Sequence, residues 1–311
     1  MPLDSSLKAL LEALKSQPAP PMWQMDPVMA RMAFGALMQA VGPRDEPTGG
    51  TKDLTISDGR VKLRVYTPVK AAQGALPALL FFHGGGYVIG DLETHDGLCR
   101  ILANEAGVRV VAVDYRLAPE HKFPAAVDDA LVALRHVLDH AAELGIDPDR
   151  LAVGGDSAGG GLAAVLAQQA ARTGQRLRLQ MLLFPVTQIG QDTPSLTNFA
   201  EGYFLEREGL RWFYGHYLPE NANRDDPRIS PLKAQDVKGL APAFVMLAGF
   251  DPLHDEGLLY ADRLRQAGVP VTLQDYPDMV HDFIYMVSAL PAARTALSGA
   301  ASALKAALSP G

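Results

Sequence analysis

The chain has 311 residues, 48% hydrophobic and 20% charged, which excludes a wholly disordered chain and allows one large domain or two small ones. Lys plus Arg number 28 against 35 for Asp plus Glu, and the net charge of −7 argues against a non-specific nucleic-acid binder, which needs a basic face. A single cysteine, Cys99, excludes an internal disulfide framework and a CxxC metal knuckle.

Residues 1–50 read as interrupted helix. Leu3, Leu7, Leu10, Leu11 and Leu14 recur at helical spacing until Pro18, Pro20 and Pro21 break the pattern. Charges stand between these leucines, so the segment lacks the basic n-region and unbroken apolar core of a signal peptide. No apolar run reaches the roughly 18 residues of a membrane helix, and the expectation is a soluble, cytoplasmic protein. A second helix, rich in Met and Ala, is expected around residues 26–41 and ends at Gly42 and Pro43. Two readings stand for residues 1–50: a helical cap over a site, or simple packing onto the main domain.

Residues 51–311 read as one α/β domain. Segments 53–57 and 61–67 alternate apolar and polar residues around Asp58-Gly59, a hairpin pattern. Short apolar runs suited to buried parallel strands follow at 78–82, 108–113, 151–153, 179–184 and 243–247. Helical patterns at 125–144, 158–172, 257–266 and 292–308 separate or follow them, with Gly145, Gly174 and Gly268 at the places of C-caps. Strands alternating with helices imply an α/β fold with a mostly parallel central sheet flanked by helices. The segment 188–238 breaks this alternation and reads as an insertion carrying Tyr203, Phe204, Trp212, Phe213, Tyr214 and Tyr217. It either lines a pocket or forms a surface excursion with its own small core.

The chemistry concentrates at strand ends. Leu151 to Gly160 reads strand, glycine-rich turn, helix, and contains Gly155-Asp156-Ser157-Ala158-Gly159, a GxSxG match. That turn exposes a serine hydroxyl at the end of a strand, and the glycines let the chain reverse sharply. A phosphate loop would require a lysine after the glycines, and none follows. Phe82-His83-Gly84-Gly85-Gly86 follows an earlier strand. Acyl transfer puts negative charge on the former carbonyl oxygen, and preorganised amides stabilise it, so the amides of Gly85, Gly86 and Ala158 are the expected oxyanion donors. His83 reads as a residue that fixes this loop rather than as a base.

With this serine elbow the acid and then the histidine should follow later strands. Asp251 closes the strand that begins at Ala243, and His281 follows a strand expected at 271–276. The expected triad is therefore Ser157, Asp251 and His281, with His281 as general base and Asp251 orienting its ring. Asp255 and Glu256 read as helix-capping or loop-supporting groups. The eight histidines show neither HxH nor HExxH spacing, so no metal site is expected. Arg116 and Glu120 are expected to pair with each other and brace their loop, the other reading being a site for a substrate carboxylate.

These residues resemble the hormone-sensitive-lipase-like carboxylesterases of bacterial family IV, within the α/β-hydrolase fold. The resemblance runs from about Leu76 to the C-terminal helix. It rests on His83-Gly84-Gly85-Gly86, Asp114-Tyr115-Arg116-Leu117-Ala118-Pro119-Glu120-His121, Gly155-Asp156-Ser157-Ala158-Gly159-Gly160, and Asp251-Pro252-Leu253-His254-Asp255-Glu256 with His281. It implies hydrolysis of short- to medium-chain acyl esters, no cofactor, frequent homodimers, and a cap built from the N-terminal helices plus the insertion. Phe34, Tyr203, Phe204, Trp212 and Phe213 are the expected substrate-contacting residues, with Trp23 nearby. Gly161 stands where such enzymes often carry Asn, Asp282 where they usually carry Gly, and Phe250 also departs from their pattern. Asp282 beside His281 should raise the pKa of the base. Two other functions compete: a non-catalytic ligand-binding protein on a hydrolase scaffold, and an amidase, lactonase or acyltransferase using the same triad.

Overall fold

In the computed structural model, which describes residues 2–16 and 20–310, the apolar runs assemble into one eight-stranded sheet. The strands are β1 (Gly50–Ile56), β2 (Val61–Thr67), β3 (Leu76–Phe82), β4 (Arg109–Asp114), β5 (Ile146–Asp156), β6 (Leu179–Leu183), β7 (Ala243–Phe250) and β8 (Val271–Val280). Their order is β1-β2-β4-β3-β5-β6-β7-β8. β2 pairs antiparallel with β1 and β4, and all other neighbours are parallel. Parallel pairing requires crossovers. The helices are α1 (Ser5–Lys15), α2 (Pro27–Val41), α3 (Asp96–Ala106), α4 (Ala125–Asp139), α5 (Ala158–Thr173), α6 (Pro194–Asn198), α7 (Arg207–Tyr217), α8 (His254–Gln266) and α9 (Pro291–Leu308).

Alternate strand residues enter two cores, one on each face of the sheet. Leu80, Phe82, Val111, Val113, Val153 and Val245 pack with α4, α5 and α8. Leu79, Phe81, Val110, Ala112, Met181 and Phe244 pack with α1, α3 and α9. The central strands are thus buried on both sides, as their unbroken apolar runs require.

Several bounds differ from the sequence expectation. α3 and α7 lie outside the helical patterns expected from the sequence, yet both form, each burying one apolar face. α4 ends at Asp139, five residues short of the expected Leu144, and the chain then turns through Gly145 at φ +63°. β5 begins at Ile146, and its exposed first turn pairs with β3 only through a register shift. β8, on the sheet edge, continues to Val280, past the expected end at residue 276; residues 271–278 are exposed or half-buried, which masks the apolar pattern of the strand. Gly174 caps α5 in the left-handed region at φ +74°, as expected. The break expected at Pro18 lies outside the described residues; α1 itself ends at Lys15.

The N-terminal helices both pack and cover. Leu7 and Leu11 of α1 and Met38 and Val41 of α2 are buried in the core that holds α9. Asp26 caps α2 by accepting from the amides of Val28 and Met29. Arg31 on α2 ties that helix to the catalytic layer: its guanidinium donates to the carbonyls of Val88 and Ala118 and pairs with Glu120 at 2.7 Å. Lys15 donates to the carbonyl of Gly202 in the insertion. The N-terminal segment and the insertion therefore meet above the carboxyl ends of the strands. Among the described residues no helix is long and apolar enough to cross a membrane.

Candidate active site

The carboxyl ends of β3, β5, β7 and β8 converge beneath this cover, where open parallel sheets place ligands. Ser157 follows β5 directly and precedes α5, with φ +51° and ψ −116°. Such a backbone is strained, at a cost of about 1–3 kcal/mol, and the packing around it must enforce it. The glycines on either side show how. A Cβ on Gly155 or Gly159 would overlap the Phe82 carbonyl at the end of β3. Only glycines let the turn and β3 approach so closely. The Ser157 amide donates to the Leu183 carbonyl at 2.8 Å, and the Ser157 carbonyl accepts from Val186 at 2.9 Å.

Asp251, 1% exposed, lies just past β7 and accepts from the Leu253 amide through Oδ1 at 2.8 Å. Its Oδ2 accepts from Nδ1 of His281 at 2.6 Å, and Nε2 of His281 lies 2.9 Å from the Ser157 hydroxyl. The three side chains form one buried hydrogen-bonded line. Asp251 fixes the ring tautomer with its proton on Nδ1, leaving Nε2 to accept from the serine. The Phe184 ring meets the imidazole edge-on at 5.8 Å.

Asp282 adds a second carboxylate. It adopts φ +53°, which turns its Oδ2 to within 3.2 Å of the same Nε2. Such a contact is favourable while the imidazole carries its second proton, so Asp282 stabilises the imidazolium form. Burial lowers the pKa of the imidazole, but Asp251 and Asp282 outweigh burial and hold it well above the ordinary value. Burial raises the Asp282 carboxyl in turn. Catalysis requires the neutral ring, so a raised pKa moves the acidic limb of kcat/KM to higher pH. Asp282→Asn removes the charge and tolerates the left-handed backbone. Its acidic limb should lie at lower pH than that of the wild type, by less than about one unit, on one short ester at fixed ionic strength. Coincident limbs would show that the carboxylate is without influence on the base.

The glycine loop follows β3. Its Gly85 carbonyl accepts from the amides of Val88 and Ile89, both at 3.0 Å, while Gly85 and Gly86 take φ +105° and +60°. Among the described residues, no acceptor takes the Gly85 or Gly86 amide. The Ala158 amide opens α5, where no intrahelical acceptor exists. Ser157 shares one pocket with Gly85 and Gly86. His83 braces the loop: its Nδ1 donates to the Gly84 carbonyl at 2.7 Å, and its ring stacks on Tyr115 at 4.3 Å. Burial pulls its pKa down to about 4, so it is neutral near pH 7.

The pocket above Ser157 has a volume of about 120 Å³. Phe34 of α2 and Phe204 and Phe213 of the insertion line it, together with Trp23. Tyr203 and Trp212 are not in its lining. Tyr203 packs on Phe250 at 5.0 Å, which accounts for the phenylalanine before the acid, and Trp212 turns its ring onto His216 at 4.6 Å. Met22, Ile89, Val186 and Tyr214 complete the wall. Tyr214 belongs to the aromatic insertion; nothing in the local sequence marks Met22, Ile89 and Val186, which meet only in the folded chain.

One ion-pair expectation is corrected, and the roles of two carboxylates are narrowed. Arg116 does not pair with Glu120. It binds Asp129 of α4 at 2.7 Å, while Glu120 binds Arg31. Residues 116–120 are not helical, so a four-residue spacing does not bring them together. Asp255 and Glu256 support loops. Asp255 accepts from the Ser195 amide at 2.8 Å, and Glu256 accepts from Thr187 and Gln188 at 2.7 and 3.1 Å. Burial raises the Glu256 carboxyl to about 8.

Comparison with known proteins gives the same picture. A family model described as alpha/beta hydrolase fold matches residues 79–285. The chain is 46% identical to an ethyl acetate hydrolase from Pseudomonas putida, over 86% of each protein. It is 43% identical to the carboxylic ester hydrolase LipN of Mycobacterium tuberculosis, over 83% of this chain and 70% of that one. The crystal structure of a thermostable esterase from Pseudomonas putida superposes with a TM-score of 0.95 at 39% identity, covering 100% of this chain and 99% of the other.

Proposed function

The chain belongs to the α/β-hydrolase family as a carboxylesterase of the hormone-sensitive-lipase-like group, and on that premise we propose that it cleaves short- to medium-chain acyl esters through an acyl-enzyme. The observation that carries this reading is the Ser157–His281–Asp251 line. Ser157 attacks the ester carbonyl as His281 takes its proton at Nε2. The oxyanion then meets the amides of Gly85, Gly86 and Ala158, with the α5 N-terminus favouring negative charge. Collapse expels the alcohol, which receives the proton from His281. Water, deprotonated by the same nitrogen, releases the acid.

The small apolar pocket supports the chain-length part of the proposal. A volume near 120 Å³, walled by Phe34, Phe204 and Phe213, suits a few methylenes and not a long chain. The name of the ethyl acetate hydrolase relative points the same way. Rates on p-nitrophenyl esters of graded acyl length should peak between about two and eight carbons and fall beyond. A maximum on emulsified long-chain triglyceride would overturn the proposal.

A further inference from the structure

Helix α7 stands between two cavities. Gly209, Leu210 and Phe213 face the catalytic pocket, whereas Arg207, Leu210, Arg211 and Tyr214, spaced i, i+3, i+4 and i+7, face a second cavity of about 530 Å³. Only Leu210 and Tyr214 belong to both linings. The two cavities therefore adjoin α7 on neighbouring faces and share these two side chains.

The polar groups of this cavity are unusual. Gln188 is 7% exposed, and its buried Nε2 has no hydrogen-bond partner among the described residues. The same holds for Arg207 Nε and for the Tyr214 hydroxyl. The lining therefore offers three buried polar groups that can donate to a guest that accepts hydrogen bonds. Tyr214 also lacks the hydrogen bond that would pin a partition in place.

We propose that the second cavity is a reserve compartment of the acyl site, that Leu210 and Tyr214 close it and so set the upper limit of acyl length, and that the chain end it accepts carries a carboxylate. The proposal rests on the acyl-ester reading above. A tail that passes the partition leaves the apolar pocket and reaches Arg207 and Gln188. Lys122, Arg211 and Arg224 line the same cavity beside the acidic Asp192, Glu220 and Glu256, so discrimination depends on the Arg207 end.

Leu210→Ala and Tyr214→Ala are assayed separately with p-nitrophenyl butyrate, octanoate and the monoester of an eight-carbon dicarboxylic acid. Folding is checked by circular dichroism and active sites are counted by phosphonate titration. Each variant should raise the octanoate-to-butyrate ratio of kcat/KM by about tenfold over the wild type. Within Leu210→Ala the dicarboxylic monoester should be preferred to octanoate, and adding Arg207→Gln should reduce that preference by about tenfold through KM. Tyr214→Leu keeps an apolar side chain on α7 and carries the test if an alanine variant does not fold. Unshifted ratios in folded, titratable variants that hydrolyse butyrate overturn the partition. A shifted ratio with no preference for the carboxylate overturns the assignment of the guest. Failure of the wild type to hydrolyse butyrate would instead count against the acyl-ester reading.

Discussion

Replacing Ser157 with alanine should abolish ester hydrolysis while leaving the fold intact. The substitution deletes one oxygen, 2.9 Å from His281, from a residue that is 6% exposed, and removes no backbone hydrogen bond. Without the hydroxyl there is no atom to carry the acyl group. In a serine protease with the same type of triad, loss of the nucleophile costs about 10⁶ in kcat, and further triad deletions add little. The same pattern is expected here. His281→Ala and the Ser157→Ala/His281→Ala double variant should be about as inactive as the serine variant, since each group works only through the others. The measurement is kcat on a short p-nitrophenyl ester, with thermal unfolding to confirm the fold. Purified Ser157→Ala with more than a trace of activity would mean that another group attacks the ester.

Asp251→Asn should cost about 10⁴ in kcat with little change in shape. Asp251 accepts two hydrogen bonds at once, from Leu253 and from His281. An asparagine offers one acceptor and one donor to these two donors. If its oxygen keeps the Leu253 amide, its NH₂ faces Nδ1 and drives the ring proton to Nε2. That nitrogen then has no lone pair for the serine. Loss of the carboxylate also removes the strongest influence raising the imidazole pKa, so the acidic limb of the residual activity should move to lower pH. A variant that retains a tenth of wild-type kcat would show that another group orients the ring. Asp282 is the carboxylate placed to do so, through Nε2 rather than Nδ1.

The residues that meet at the centre of the site were legible because each one closes a strand. Ser157, Asp251 and His281 follow β5, β7 and β8, and in a parallel sheet the carboxyl ends of the strands share one edge. Position along the chain thereby translates into position in space. The pocket wall has no such rule. Trp212 and Phe213 are adjacent on α7, about 100° apart around its axis, and only the orientation of the helix decides which one lines the pocket. Tyr203 has the composition of a pocket residue but is used by Phe250. Arg116 and Glu120 were misread for a related reason, since each finds its partner on a different helix across the fold. The placement of Asp282 was legible only as adjacency to His281. That its carboxylate reaches Nε2, the working nitrogen, depends on the left-handed backbone at that position.

The attachment of α2 through Arg31 has a mechanical consequence. The guanidinium holds the Val88 carbonyl, and the Val88 amide in turn holds Gly85. Cover and glycine loop are therefore linked in series by two hydrogen bonds. Lifting α2 to widen the entrance must either break the first bond or pull on the second. In the first case the exposed carbonyl and the Ala118 carbonyl both lose a charged donor. In the second the displacement is passed to the backbone beside Ser157. Access and readiness thus trade against each other along a single lever: the wider the entrance stands at this helix, the less firmly the amides beneath it are aimed.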